Sequence, residues 1–365
     1  MNSINSSNQH RATSIEQPAS SNQHPASNNR PFIIPVFLPH AGCPHRCVFC
    51  NQVSITGSPR TAVNVDEIRA QIYQFLGYEN GRRKPVQISF YGGNFLGLKI
   101  DQMKRLLDLA AEFIGRGRVD SIRFSTRPDT ITPERLDIIS AYPVETVELG
   151  VQSMDDQVLA LAERGHSTAD TLGAVELLKV HGLAIGLQLM AGLPGDTEAR
   201  SLISAEKTAA LQPDFVRIYP TLVVKNSKLA RRYHDGSYTP LSLEAAVTLV
   251  KKLYLVFKKH DIRVIRMGLQ ASEDLADGST VLAGPYHPAF GHLVYSEVFL
   301  DQAKKALGSM RTLSDTITIL VNPRSISKMR GLNNANTKKL KSRYKLKKVA
   351  VVPDSALGIE ELKVQ

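Results

Sequence analysis

FIIPVFLPHAGCPHRCVFC, residues 32–50, is the stretch from which this chain is read. A β-rich apolar run, Phe32 to Leu38, passes directly into a loop holding Cys43, Cys47 and Cys50. These are the only cysteines among 365 residues. An odd number packed so closely cannot form a disulfide framework, so they read as reduced, metal-binding thiols of a cytoplasmic protein. Three thiolates at these gaps can wrap one side of a compact soft-metal centre. Fe–S clusters usually take four cysteines, so three leave one iron open to a ligand other than protein. A structural zinc site is the rival reading. It needs a fourth ligand, and His45, between two of the cysteines, is cramped for that purpose.

Outward from this loop, further β-rich runs follow: Val86 to Tyr91, Ser121 to Ser125, Thr146 to Gln152, Ala184 to Met190 and Phe215 to Val224. Helical stretches separate them. Ile68, Ile72, Phe75 and Leu76 share one face, as do Met103, Leu106, Leu107, Ala110 and Ile114. Thr132-Pro133 makes an N-cap and first-turn pair, and Gly182 suits the residue after the helix that begins near Thr168. A long helix over Leu243 to His260 precedes a strand-like stretch, Ile262 to Leu269. Six strands alternating with helices predict an α/β chain with a parallel sheet and right-handed crossovers, a partial (β/α)6 TIM-like barrel. Chemistry in such barrels sits at the C-terminal strand ends. The unusual motifs all fall there.

The flanks differ from this core. Residues 1–30 are mostly Ser, Asn, Gln, His, Ala and Pro, with SNQH twice, and read as a disordered tail. That tail lacks an apolar signal core, and its two arginines are too few for a mitochondrial presequence. No apolar run reaches eighteen residues, which excludes a spanning helix and membrane partnership of that kind. The formal net charge is +11. From Thr316 to Pro353 there are ten Lys or Arg and no acid. That stretch reads as strand, helix and strand, a compact basic α+β appendage. The expected organisation is a tail (1–30), a barrel (31–270), a connecting segment (271–315) and a basic unit (316–365). Clustered bases release counterions from a phosphate backbone, so Lys338, Lys339, Lys341, Arg343, Lys347 and Lys348 are candidate RNA contacts. A solvated lysine face is the alternative. With Tyr344 the lone aromatic there, stacking on bases is not indicated.

The cysteine loop, with Phe49 before its last thiol, resembles the signature of the radical S-adenosylmethionine (SAM) superfamily. The resemblance implies a [4Fe–4S] cluster held by Cys43, Cys47 and Cys50, with S-adenosylmethionine on the fourth iron. It also implies a 5′-deoxyadenosyl radical that abstracts hydrogen from substrate, and a flavodoxin- or ferredoxin-like electron donor. Gly92-Gly93-Asn94 looks like the superfamily's Gly-Gly motif, although Asn94 stands where Glu or Thr is frequent. Ser125 and Arg127 end the third run, Gln152 the fourth, and Arg164 matches a cofactor-reaching Arg. Gln188 takes the place of a family Asp. By resemblance all of these, with Phe49, are cofactor contacts. Gly192-Leu193-Pro194-Gly195 looks like the family turn.

Tyr219 to Lys225 looks like the radical-SAM domain of the Elongator catalytic subunit, which modifies wobble uridine in tRNA. That likeness covers about residues 32–270. The Elongator subunit continues into an acetyltransferase domain. No glycine-rich acetyl-CoA loop follows Gln270 here, so acetyl transfer is not carried over. The expected activity is therefore radical modification of RNA, tRNA foremost. Two other readings stand beside it. One is a small-molecule enzyme resembling oxygen-independent coproporphyrinogen oxidase. The other is a non-enzymatic cluster- or haem-binding protein, since fold does not fix function.

Overall fold

The computed structural model describes residues 31–365, apart from 45, 52–63, 79–84, 270–279, 311 and 313. The expected tail, residues 1–30, and His45 lie outside the described residues. Strands β1 (Phe32–Phe37), β2 (Val86–Tyr91), β3 (Ser121–Thr126), β4 (Val144–Gln152), β5 (Ala184–Ala191) and β6 (Phe215–Pro220) are laid side by side in chain order. A short β7 (Val223–Val224) lies outside this sheet, and β8 (Arg263–Met267) joins its edge beside β6. Every neighbouring pair is parallel.

Parallel neighbours need crossovers, and helices supply them. These are α1 (Val65–Gly77), α2 (Ile100–Gly115), α3 (Pro133–Ser140), α4 (Asp156–Leu161), α5 (Thr168–Val180), α6 (Glu198–Ala210), α7 (Lys228–His234) and α8 (Leu243–Lys259). The boundary signals act as expected. The Thr132 hydroxyl accepts from Arg135 N at the start of α3. Gly182, at φ +67°, follows the C-cap of α5.

The sheet curls, and side-chain contacts fix the direction. Three strands separate β2 from β6, which in a flat sheet would be about 19 Å apart. Yet an Arg217 Nη on β6 lies 3.5 Å from the Tyr91 hydroxyl on β2. Arg123 on β3 likewise sits 4.7 Å from the Phe215 ring centroid on β6. Seven parallel strands thus form a half-barrel whose concave face carries Tyr91, Arg123, Glu148, Gln188 and Arg217. The alternate residues, such as Ile88, Phe90, Ile122, Phe124, Val147, Leu149, Leu187, Val216 and Ile218, are buried in the apolar core shared with the helices. One face is thus oily and anchored, the other polar and open to chemistry.

Three departures from the sequence expectation have physical causes. The barrel has seven strands rather than six, because Arg263–Met267 finds a free edge at β6. The run Phe215 to Val224 is two strands, since after Pro220 the chain leaves the sheet and β7 pairs antiparallel with β9 (Val281–Ala283). The connecting segment contains a 19-residue helix, α9 (Phe290–Gly308). That helix gives Phe290, Val294 and Val298 to the barrel core, and Phe299, Leu300, Ala303 and Leu307 to a second core. Serving two cores spreads its apolar residues around the axis and erases the one-sided period.

The second core belongs to the basic unit. There β10 (Thr316–Val321) pairs parallel with β11 (Lys348–Pro353) and antiparallel with β12 (Leu362–Val364). Helices α10 (Ile326–Arg330) and α11 (Ala335–Arg343) connect β10 to β11. No helix among the described residues is long and apolar enough to cross a membrane.

Candidate functional site

The cysteine loop is built on the end of β2. Leu38 N donates to Tyr91 O, and His40 N donates to Gly92 O, so the chain leaving β1 runs along the Gly-Gly turn. Gly92 has φ +84°, a conformation that favours glycine. Gly93 is required for another reason. A Cβ there would come within 2.6 Å of both Leu38 O and Ala41 O. Its missing side chain is thus filled by the cysteine loop itself.

Asn94 locks this contact. Its Nδ2 donates to Gly42 O (2.9 Å), while its Oδ1 accepts from the Thr126 hydroxyl (2.7 Å), the Thr130 hydroxyl (2.9 Å) and Arg127 N (3.0 Å). The side chain is fully buried. It therefore ties the loop of β1 to the end of β3, a positioning duty. The next residue, Phe95, stacks between Phe90 and Phe124 with centroids 4.9 and 4.6 Å away. Such ring pairs add about 1 kcal/mol each beyond their buried area. The site thus rests directly on the core.

The far half of the loop is clasped from the other side of the barrel. Val48 N donates to Ala162 O, and Leu229 N donates to Val48 O (2.7 Å). Asn51 Nδ2 reaches Lys225 O at 2.7 Å. Val48 is fully buried, with half-buried Phe49 against the same apolar cluster as Val158, Leu193 and Tyr238. Phe49 thus packs the loop in place.

All three cysteines are free thiols, Cys47 buried and the other two half-buried. Arg164 Nη1 donates to Cys47 Sγ at 3.1 Å, and its Nη2 donates to Gly150 O at 2.5 Å. Burial pushes the Cys43 thiol up and Cys47 pushes it the same way, while Arg127 and Arg164 pull it down. Among the described residues no three His, Cys, Asp or Glu side chains converge on one metal-sized point. The donor set therefore carries the metal reading. Three soft thiols on one anchored loop with two buried guanidiniums nearby suit a soft-metal centre, and His45, the rival zinc ligand, lies outside the described residues.

Several buried polar atoms at these strand ends lack partners: Arg127 Nη1, Arg164 Nε and His166 Nδ1. Arg127 is fixed by a two-pronged pair with Asp129 (2.9 and 3.0 Å). Gln152 ends β4 at φ +69°, strained for a residue with a side chain, and its Oε1 accepts from Gln188 Nε2 at 3.3 Å. Gly150 leaves room for this arrangement, since a Cβ there would come within 3.0 Å of Gln152 Nε2. Ser125 is half-buried at the end of β3. Thus Gly92 and Gly93 carry the cysteine loop and Arg164 meets Cys47, while Ser125 and Arg127 lie at the end of β3, Gln152 at the end of β4 and Gln188 on β5.

A model of the radical SAM superfamily matches residues 37–206, and one of the radical SAM C-terminal domain matches residues 213–299. The chain belongs to the radical SAM superfamily of enzymes. It is 30% identical over 231 residues to "Uncharacterized protein MJ0486" of Methanocaldococcus jannaschii, covering 60% of this chain and 70% of that protein. It is 28% identical over 259 residues to a tRNA uridine(34) acetyltransferase of Methanocaldococcus infernus, covering 60% of this chain and 48% of that protein. The chain thus spans about half the length of that acetyltransferase. The same fold recurs in the solved archaeal Methanocaldococcus infernus Elp3 with an N-terminal deletion. That match has a TM-score of 0.59 at 23% identity, over 75% of this chain and 63% of that one.

Within this radical-SAM site, sequence reasoning missed His166. Burial, with Arg164 and Arg127 nearby, holds its imidazole down to about 4. Its Nε2 faces Val151 O at 3.2 Å. A histidine in the unfolded chain takes up a proton below about pH 6.5, whereas the folded one waits until about 4. Stability is therefore full above pH 6.5 and falls through that window, by about 3 kcal/mol at its acid end. Denaturant melts of wild type and His166→Gln at pH 7, 5.5 and 4 check this. The variant is expected to lose about 3 kcal/mol less on acidification, and parallel losses would refute it. Sequence reasoning also missed Arg123, Glu148 and Arg217. Their signal was available as charged residues at alternating positions inside otherwise apolar strands.

In the basic unit, Lys338, Lys339, Lys341, Arg343, Lys347 and Lys348 are all exposed. An acid-free window in sequence is not acid-free in space. Lys339 meets Glu297 of α9 at 3.0 Å, and Lys347 meets Asp315, just before β10, at 2.6 Å. Lys338, Lys341, Arg343 and Lys348 have no acid partner among the described residues.

Proposed function

We propose that this chain is a radical-SAM enzyme that modifies RNA, tRNA foremost, with Cys43, Cys47 and Cys50 holding a [4Fe–4S] cluster. The observation that carries the reading is the clasped cysteine loop with Arg164 on the Cys47 sulfur. A cluster held there would supply one-electron cleavage of S-adenosylmethionine bound at an iron without a cysteine ligand.

The protein's own residues do the rest. Arg164 orients and neutralises the Cys47 sulfur. Arg127 Nη1 offers a donor suited to a carboxylate, and His166 Nδ1, with its other nitrogen facing Val151 O, offers an acceptor suited to a hydroxyl. The Gln152–Gln188 amide pair presents both functions to the concave face. Asn94 and Gly93 keep the loop seated on the barrel, and the buried Phe95 stack keeps water from beneath it.

Support for RNA comes from the tRNA-modifying relative and from the exposed Lys338, Lys341, Arg343 and Lys348. These bases suit backbone positioning rather than base readout. A cytoplasmic location and a flavodoxin- or ferredoxin-like donor belong to the same proposal, as does a boundary between barrel and basic unit within residues 271–315.

Anaerobic reconstitution with iron and sulfide, then assay of 5′-deoxyadenosine with total tRNA, with a porphyrinogen or with neither, tests the reading. Release is expected to rise with tRNA. A rise with porphyrinogen alone would move the assignment to a small-molecule enzyme. Absence of any cofactor cleavage would leave a cluster- or haem-binding protein.

A further inference from the structure

Beneath the strand-end motifs lies a charged group that none of the chemistry above uses. Glu148 Oε1 accepts from Arg123 Nε at 2.6 Å and from Arg217 Nη2 at 3.1 Å, and its Oε2 lies 2.7 Å from Arg217 Nε. The Arg123 and Glu148 side chains are 7% and 5% exposed. Two cations therefore share one anion in the hollow of the half-barrel. Half-buried Arg266 is register-paired with Arg217 on the neighbouring strand, so it shares that face.

The group is also incompletely bonded. Arg123 Nη2 is buried with no hydrogen-bond partner. The Tyr219 and Tyr91 hydroxyls lie 3.3 and 3.5 Å from Arg217 Nη atoms. Glu148 lies four residues before the end of β4, and Arg123 and Arg217 each three before the ends of β3 and β6, which places the group roughly 10–13 Å below the strand ends.

A buried excess of positive charge with a spare guanidinium donor is costly unless an anion completes it. The excess of the Arg123–Glu148–Arg217 group is one unit, and Arg266 on the same face raises it to two, so an anion of one or two charges can balance it. The guanidinium fork takes a carboxylate or a phosphate two-pronged.

We propose that Arg123 and Arg217 form a subsite for an anionic group, carboxylate or phosphate, of the molecule entering the half-barrel. This rests on the reading that substrate occupies the concave face, and is independent of whether the substrate is RNA.

Thermal unfolding of the anaerobically reconstituted full chain, at saturating S-adenosylmethionine and fixed ionic strength, tests it with propionate, phosphate or chloride as the anion. Propionate or phosphate, but not chloride, is expected to raise Tm saturably, by about 2 °C at ten times its Kd. A shift with phosphate assigns the group to a phosphate such as a nucleic-acid backbone offers, and a shift with propionate to a carboxylate. Glu148→Gln removes the internal competitor, so the half-saturating concentration of the active anion should fall about tenfold. Arg123→Met and Arg217→Met should abolish the anion-specific shift. If either methionine variant does not fold, the Glu148→Gln comparison decides alone. Equal effects of all three anions, or no tightening in Glu148→Gln, overturn the subsite. The titration is repeated without S-adenosylmethionine, and a wild-type shift seen only there would assign the position to the cofactor instead. Cofactor cleavage without added substrate is measured in the same preparations. Intact cleavage with no propionate or phosphate effect rejects the subsite and leaves the radical-SAM reading standing.

Discussion

Changing Cys43, Cys47 or Cys50 singly to Ala is expected to remove the brown chromophore and lower 5′-deoxyadenosine release by about a thousandfold or more. The size follows from ligand count. Three thiols are the fewest that can hold a cuboidal cluster with one open iron, so losing one leaves two irons without protein. Losing an outer partner costs less, typically about 10- to 100-fold in metal affinity or activity. Arg164→Met, which removes the donor to the Cys47 sulfur, should therefore keep the chromophore and lose about one to two orders of activity. Folding should survive the Cys43 and Cys50 changes, because both thiols are only half-buried and stand outside the apolar clusters. Iron analysis and visible spectra check the first claim, far-UV circular dichroism the last. A single-cysteine variant that retains both colour and cofactor cleavage would contradict the ligand assignment.

The contrast between cysteines and Arg164 reflects how legible each was in the sequence. Thiol spacing is local, so eight residues suffice to read it. The strands were legible because their convex-face residues pack into one core. Asn94 was placed correctly at a strand end, but its bonding was not readable. Gly42, Thr126, Thr130 and Arg127 reach it from two other loops, and only the fold brings them together. Gly93 teaches the same point. Its motif suggests room for a ligand, whereas its absent side chain makes room for Leu38 and Ala41. Helix α9 stayed hidden because its two ends answer to different cores. The charged trio on the concave face was visible as alternation, but its meaning depends on a curl that brings β3, β4 and β6 side chains within 3.1 Å.

The basic unit yields the other large effect. Changing Lys338, Lys341, Arg343 and Lys348 together to Ala is expected to flatten the salt dependence of tRNA binding, lowering the log–log slope by about three. Each phosphate contact contributes about 0.7 to 0.9 to that slope through released counterions. Buried Asn336 and Leu340 turn one side of α11 inward, which leaves Lys338, Lys341 and Arg343 to solvent. Lys348 extends the same charge onto β11. The paired Lys339 and Lys347 make an internal comparison. Glu297 and Asp315 already offset part of their charge, so a Lys339→Ala, Lys347→Ala double variant should change the slope by less than one. Losses should be uniform across tRNA species, since backbone contacts carry no sequence information. Both variants leave the buried Leu340, Leu346 and Val351 of the second core untouched, so unfolding is not the expected cause of any loss. Filter-binding or fluorescence titrations from 50 to 200 mM salt measure the slopes. Equal slopes for wild type and the fourfold variant would show that this face is a solvated lysine surface and that RNA, if bound, is held elsewhere.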